Sequence, residues 1–394
     1  KMDEKYKIVT LKGSNQRLSG QINEKIIISL IRKKGSLSKA NLTKLTNLSP
    51  QSITDIVKRL IKKKLIIEGK KLKGKKGQPS TPLILNPNGA FSIGIKIGRR
   101  SCDLMLMCLD GSIKKQIKKN YEWPNSNLIF NFLKKEIPDI INKLNFITTK
   151  ENISIGIAMP DFISSWETVL AGRKNDLSKW NNINVKEKIS EICGIECTIF
   201  NDVTSAALAE MHLGNNINIK SFFYIYIGSF IGGGLVLENK LYHGDNFNAG
   251  SIASLPLGIT KQKTKKQLLN NSSLFNLEDL LIKNNINKNN IYSDIKLNEI
   301  GKKIYFRWEK EIINSLAFTI LSATSFLDIN NVIIDSALPE KKTLEILKKI
   351  TPALKKYNDE GLYLPKINQG SHGYLSRVIG ASFIPFYKKY YTET

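Results

Sequence analysis

Two distant stretches of this chain repeat one design, and no other feature narrows its possible folds as far. Phe91 to Ile97 reads as an apolar strand that ends at Gly98, and Tyr224-Ile225-Tyr226-Ile227 reads as another that ends at Gly228. A second apolar run follows each glycine, Asp103–Leu109 in the first case and Gly233–Leu237 in the other. A recurrence of roughly 130 residues is far longer than the ~20–50 residues of a solenoid repeat, and it suits a duplicated α/β lobe. Two such lobes enclose a cleft. The intervening pattern agrees. An Asp110-Gly111 turn leads to another strand, a helical stretch lies near Leu128–Leu144, and strands are expected at Ile153–Ala158 and Thr198–Phe200. A long helix over about Lys302–Leu327 then precedes a strand at Val332–Asp335, and a last helix runs from about Ser376.

The N-terminus follows different rules. Ile22, Ile26, Ile27, Leu30 and Ile31 recur at helical spacing and stop at Lys33-Lys34-Gly35. Ser38 is placed to cap a short helix carrying Leu42 and Leu45, and Asn47-Leu48 makes a tight turn. Ser49-Pro50 opens a third helix as N-cap and first-turn proline, with Ile53, Ile56, Val57, Leu60 and Ile61 facing inward. Three short helices sharing one apolar side make a helix-turn-helix. Its third helix suits a major groove, so Ser49, Gln51, Ser52, Asp55, Lys58 and Arg59 are the expected base and phosphate contacts. Leu65–Glu68 and Leu83–Leu85 read as two strands around a basic tip, a wing, in which Lys75, Lys76 and Gln78 are the expected DNA contacts. Asn86-Pro87-Asn88-Gly89 marks the end of this domain.

Charge supports that division. The chain of 394 residues carries a net +26, yet only 8 of its 60 basic residues are Arg, a bias that base composition alone can produce. Residues 1–80 hold 21 Lys and Arg against 5 Asp and Glu, so +16 of the +26 sits there. Localised charge of this kind favours phosphate-backbone attraction. Four cysteines (Cys102, Cys108, Cys193, Cys197) and an opening without an apolar leader point to a cytoplasmic protein. The longest apolar candidate, Ile312 to Ile329, is interrupted by Asn314, Ser315, Thr319, Ser322, Thr324 and Ser325 and reads as a buried helix rather than a span.

The chemistry of the larger part centres on Asn201-Asp202 at the start of a helix-like run to Glu210. A carboxylate beside an amide at a helix N-terminus suits sugar hydroxyls, and either residue also suits an N-cap.

At this point a resemblance becomes specific. Ile93-Gly94-Ile95-Lys96-Ile97-Gly98, Gly156-Ile157-Ala158-Met159-Pro160, Asn201-Asp202 with Ala206–Glu210, Ile227–Gly234 and Asn248-Ala249-Gly250-Ser251-Ile252 follow one another as in the ROK family of repressors, open reading frames and sugar kinases. The chain resembles the transcriptional-regulator branch over nearly all its length. The resemblance implies an α/β protein, an N-terminal winged helix-turn-helix (1–86) followed by a two-lobed actin-like domain (87–394). Lobe one would cover about 87–200 plus the C-terminal helix, and lobe two about 201–375.

Departures from the family pattern set the functional expectation. Family kinases carry Asp in the first glycine turn, where it helps handle magnesium and phosphate; the matching residue here is Lys96, with Arg99 and Arg100 on the following Gly and Thr positions. The glycine pair expected after Val332-Ile333-Ile334 is Asp335-Ser336. The family's sugar-holding Glu and zinc-binding His appear as Ser251 and Ser254, so no metal and no cofactor are expected. The resemblance makes Asn175, Asn201, Asp202, Ser251 and Ser254 the expected effector contacts. Lys96, Arg99 and Arg100 either receive the phosphate of a sugar phosphate, or Lys96 pairs with Asp202 across an empty cleft. The expected protein is a non-enzymatic, sugar-responsive regulator, a repressor by the habit of the branch, that binds duplex DNA as a homodimer or homotetramer and no membrane. A sugar kinase with a DNA-binding arm and a non-sensing DNA binder are the rivals.

Overall fold

The first three helices form where caps and apolar spacing place them. α1 (Gln16–Lys34) ends in the basic turn Arg32-Lys33-Lys34, which suits the negative end of the helix dipole. The Ser38 hydroxyl accepts from Asn41 N and caps α2 (Lys39–Thr46), and Asn47 closes that helix at φ 56°. The Ser49 hydroxyl accepts from Ser52 N at 3.1 Å and starts α3 (Pro50–Lys62). Ile27, Ile31, Leu42, Ile53, Val57 and Leu60 are fully buried, so the three helices share one core. β1 (Ile66–Glu68) and β2 (Leu83–Leu85) pair antiparallel, Ile66 opposite Leu85 and Glu68 opposite Leu83, as expected for a wing.

The computed structural model describes residues 16–70, 81–164, 177–259, 265–293, 295–357 and 360–392, so Lys75, Lys76 and Gln78 of the wing tip and Asn175 lie outside the described residues. Two compact units emerge. The first combines the winged helix with the turn Cys108–Ser112 and the chain from Phe386 onward. In this unit Thr392 N donates to the Ser29 hydroxyl at 3.1 Å, the Arg32 guanidinium lies 4.9 Å over the Tyr391 ring, and Tyr391 OH donates to Leu109 O at 2.6 Å.

The second unit contains the duplication. One sheet has the order β5-β4-β3-β6-β7, made of β3 (Phe91–Ile97), β4 (Ser101–Cys108), β5 (Ile113–Asn120), β6 (Ile153–Ala158) and β7 (Cys197–Phe200). The other has the order β10-β9-β8-β13-β14, made of β8 (Phe222–Ile227), β9 (Ile231–Leu237), β10 (Lys240–Tyr242), β13 (Asn331–Ser336) and β14 (Lys366–Gln369). A ribbon of β11 (Pro256–Ile259) and β12 (Lys265–Gln267) is inserted in sequence between β10 and β13. In each sheet the first strand of the lobe is central, paired parallel to a later strand (β3 with β6, β8 with β13) on one side. The repeated pattern in sequence is thus a repeated topology.

The helices that complete the lobes are α4 (Ser126–Leu144), α5 (Val185–Cys193), α6 (Asp202–Leu213), α7 (Leu268–Ser272), α8 (Leu274–Lys283), α9 (Glu299–Leu327), α10 (Glu340–Leu354) and α11 (Ser376–Tyr390). The long helix expected from Lys302 begins at Glu299, where Asn298 caps it. α11 lies so close to the first sheet that a Cβ on Gly94 would fall 2.4 Å from Ser382 N, and one on Gly156 2.0 Å from Ala381 O. Those two glycines therefore admit a helix backbone, not a ligand. Among the described residues no helix is long and apolar enough to cross a membrane.

Candidate functional site

A cavity of about 310 Å³ opens between the two sheets' glycine turns. Lys96, Arg99, Arg100, Asn201, Asp202, Ser251 and Ser254, all expected from sequence, line it together, and so does Arg377, which sequence reading missed.

Asn201 caps α6, its Oδ1 accepting from Val203 N at 3.0 Å and Thr204 N at 3.2 Å while Nδ2 donates to Asp161 Oδ2 at 2.9 Å. Asp202 is the first residue of that helix and is buried. Its carboxylate meets the Arg377 guanidinium at 3.2 Å, and the same guanidinium donates to Tyr226 OH at 3.2 Å and lies 4.3 Å over the Tyr226 ring. Burial works against the Arg377 charge, but the surrounding Tyr226, Asp202 and Asp103 more than offset it and hold the group charged. The expected partner of Asp202 was Lys96. The structure corrects this: Lys96 Nζ pairs with Asp103 Oδ2 at 2.6 Å and donates to the Ser101 hydroxyl at 2.7 Å, both within its own sheet. Lys96 and Asp103 are each almost wholly buried. Burial lowers the Lys96 ammonium against the pull of Asp103, whereas for Asp103 the burial penalty is outweighed by Lys96 and Ser101, which keep it ionised.

The two arginines of the turn are also engaged. Arg99 donates to the carbonyls of Ile163 at 2.9 Å and Phe162 at 3.0 Å and lies 4.1 Å over the Phe230 ring; burial lowers it to about 10, with Asp202 opposing. Arg100 pairs with Glu278 Oε2 of α8 at 2.9 Å and with Glu122. The phosphate expectation for Lys96, Arg99 and Arg100 is revised accordingly, because Lys96 and Arg100 are already neutralised by carboxylates and only Arg99 rests on neutral carbonyls. Arg377, Lys96, Arg100, Ser101 and Ser229 also line a second cavity of about 850 Å³ that includes Tyr121, Tyr292 and Tyr374.

Ser251 and Ser254 are exposed, Ser251 just before and Ser254 at the end of the short turn Ile252–Ser254, on the lobe-two wall of the first cavity. The glycine run opposite has a packing role. A Cβ on Gly232 would lie 2.6 Å from Val203 Cγ2, and one on Gly234 2.9 Å from Ala207 Cβ, so β9 runs directly against α6. Cys193 and Cys197 are free and buried, as expected of packed thiols. Arg377 carried no local sequence signal, because its partners are 151 and 175 residues away. Asp103 was legible only as a polar residue in an otherwise apolar strand.

In the other unit, α3 presents Gln51, Lys58 and Arg59 outward, with Ser49 exposed at its cap and Ser52 and Asp55 half-buried. Arg59 is held by Glu24 of α1 at 3.0 Å, and Lys63 joins it at 2.6 Å.

The ROK family profile matches residues 92–265, and a winged helix-turn-helix DNA-binding profile matches residues 22–67. The chain carries a ROK family domain behind a winged helix-turn-helix. The chain is 25% identical over 255 residues to the xylose repressor of Bacillus subtilis (strain 168), covering 64% of each, so it spans just under two thirds of that relative's length. It is 23% identical over 254 residues to the DNA-binding transcriptional dual regulator NagC of Escherichia coli (strain K12), covering 62% of this chain and 60% of NagC. A solved ROK family transcriptional regulator, a homolog of the E. coli MLC protein, superposes with TM-score 0.67 at 19% identity over 93% of this chain and 96% of its own, which shows the shared fold. By title these two relatives are a xylose repressor and a DNA-binding transcriptional dual regulator.

Proposed function

We propose that this chain is a sequence-specific DNA-binding repressor whose ROK domain senses a sugar. One observation carries the reading: a winged helix-turn-helix precedes a two-lobed cleft lined by Asn201 and Asp202, the pair that the family resemblance gives to sugar hydroxyls, while Lys96, where the resemblance expects a carboxylate, is paired with Asp103. With Lys96 at that position and Asp103 already paired to it, no free carboxylate is left there for Mg²⁺, and Arg377 on Asp202 opposes its use as a base, so the domain is a sensor and not a kinase. In this reading 1–86 reads an operator and 87–394 binds the effector. Asp202, Asn201, Asn175, Ser251 and Ser254 are the effector contacts, and Arg99 is the remaining candidate for an anionic substituent. The wing residues Lys75, Lys76 and Gln78 and the α3 residues Ser49, Gln51, Ser52, Asp55 and Lys58 contact duplex DNA. A homodimer or homotetramer in the cytoplasm supplies two reading heads for two half-sites. Effector binding shifts DNA affinity by its differential affinity for two states of the protein.

Thermal unfolding against a sugar panel that includes D-xylose and N-acetylglucosamine tests the sensor. A bound effector raises the midpoint by mass action, and Asp202→Asn removes the rise. Release of ADP from MgATP in the presence of any sugar of the panel would overturn the assignment.

A further inference from the structure

Gln51 and Asp55 stand one helical turn apart on α3, on the side away from the buried Ile53, Ile56, Val57 and Leu60. The Gln51 amide nitrogen donates to both Asp55 oxygens, at 3.2 and 3.1 Å. A carboxylate has no proton to give, so this bond fixes the amide: nitrogen toward Asp55, carbonyl oxygen away from it. A free Gln offers a base one donor and one acceptor and suits adenine. Gln51 held in this way commits one N–H to Asp55 and turns its carbonyl oxygen away, which leaves that oxygen and one N–H free. Asp55 offers only acceptors, and it is the single acidic residue of a helix that also carries Lys58, Arg59 and Lys62.

An acid on a helix that enters a polyanion is repelled by every phosphate it passes. It is favourable at such a place only where it meets a hydrogen-bond donor on a base edge. In the major groove those donors are the exocyclic amines of cytosine and adenine. Adenine sets its N7 acceptor beside the amine, which a carboxylate and a carbonyl oxygen would both oppose; cytosine does not. We propose that the Gln51–Asp55 pair is a cytosine-reading element that fixes part of this protein's operator sequence, an inference that rests on α3 being the groove-entering helix. The remaining stripe supports a division of labour. Lys58 follows Asp55 on the same face and is exposed, suited to the phosphates, whereas Arg59 is turned onto Glu24.

Selection of bound duplexes from a random pool with the full chain, wild type and variants, tests the proposal. Wild type is expected to enrich a motif with cytosine at one position per half-site, and replacing that C·G pair by T·A should weaken binding about tenfold or more. Asp55→Asn should move the preference there from cytosine to adenine, and Gln51→Ala should weaken the preference without altering the rest of the motif. If Asp55→Ala instead strengthens binding to all sequences alike, Asp55 is only a repulsive surface charge bonded to its neighbour and the proposal fails. A motif left unchanged by Asp55→Asn also overturns it while leaving the operator reading intact. A wild-type protein that enriches no motif overturns the operator reading itself, and this inference with it.

Discussion

The two lobes of the ROK domain share a topology and differ in what fills the turn after the central strand. In lobe one the end of β3 holds a charged pair, Lys96 on Asp103, and the turn carries two arginines, each drawn to acceptors elsewhere. In lobe two the corresponding strand ends in Tyr226-Ile227-Gly228, and the following glycines are pressed against α6. Its own carboxylate, Asp335, sits at the end of β13, where it accepts from Tyr224 OH at 2.8 Å and Gly373 N at 2.9 Å. Beside it Glu210 of α6 accepts from Ser371 N and its hydroxyl, at 2.9 and 2.7 Å. Duplicated folds therefore need not keep duplicated chemistry. In lobe one the turn is filled by charged side chains held by acceptors, whereas in lobe two small residues stand where a helix leaves no room for larger ones.

The largest effect should come from breaking the lobe-one pair. Lys96→Met leaves Asp103 buried and charged and should lower stability by about 3–5 kcal/mol in denaturant titrations at neutral pH. The loss should shrink as acid protonates Asp103, and the double change Lys96→Met/Asp103→Leu should recover most of it, since the charge and its partner leave together. A double variant as unstable as the single one would show that the pair organises the turn rather than merely neutralising itself.

Lobe two offers the opposite sign. Burial pushes the Asp335 carboxyl up to about 6, with the Tyr224 hydroxyl opposing and Glu210 adding to the rise. A carboxyl raised above its ordinary value binds its proton more tightly in the folded state. It therefore weakens folding above pH 6, and the penalty fades as pH falls from about 6 toward 4. Asp335→Asn should stabilise the protein on the order of 2–3 kcal/mol at pH 8 and by almost nothing at pH 4, measured by the shift of the unfolding midpoint across that range. A gain independent of pH would place the strain in packing instead.

The smallest effect tests the glycines. A Cβ at Gly233 would lie 2.6 Å from Gly250 O, a main-chain atom that cannot swing aside. Gly233→Ala should destabilise by about 1–3 kcal/mol with sugar affinity changed in proportion to folding alone. Loss of sugar binding in a protein of unchanged stability would instead assign the run a ligand role.

Much of this was open to a reader of the sequence. The paired strand-and-glycine openings announced two lobes, and both sheets have the same order. Ser38 and Ser49-Pro50 announced the starts of α2 and α3, because capping depends on neighbours within one turn. Asn201 was legible as a cap for the same reason. The partners of the cleft were not. Lys96 faced a choice between Asp202 and the phosphate of a ligand on paper, yet Asp103, on the adjacent strand two residues beyond Ser101, was nearer. Arg377 went unnoticed until α11 carried it onto Asp202.

By itself the sequence determined the periodic and local features: which segments are helix or strand, where they start, that the body is doubled, and that basic charge gathers at one end. These follow from side-chain spacing and from bonds made within a few residues. Tertiary structure alone decided which charge neutralises which, and which glycines serve packing. Coulomb attraction falls off with distance in space and takes no account of distance along the chain, so a cation's partner is chosen only once the sheets and helices have brought remote carboxylates within reach.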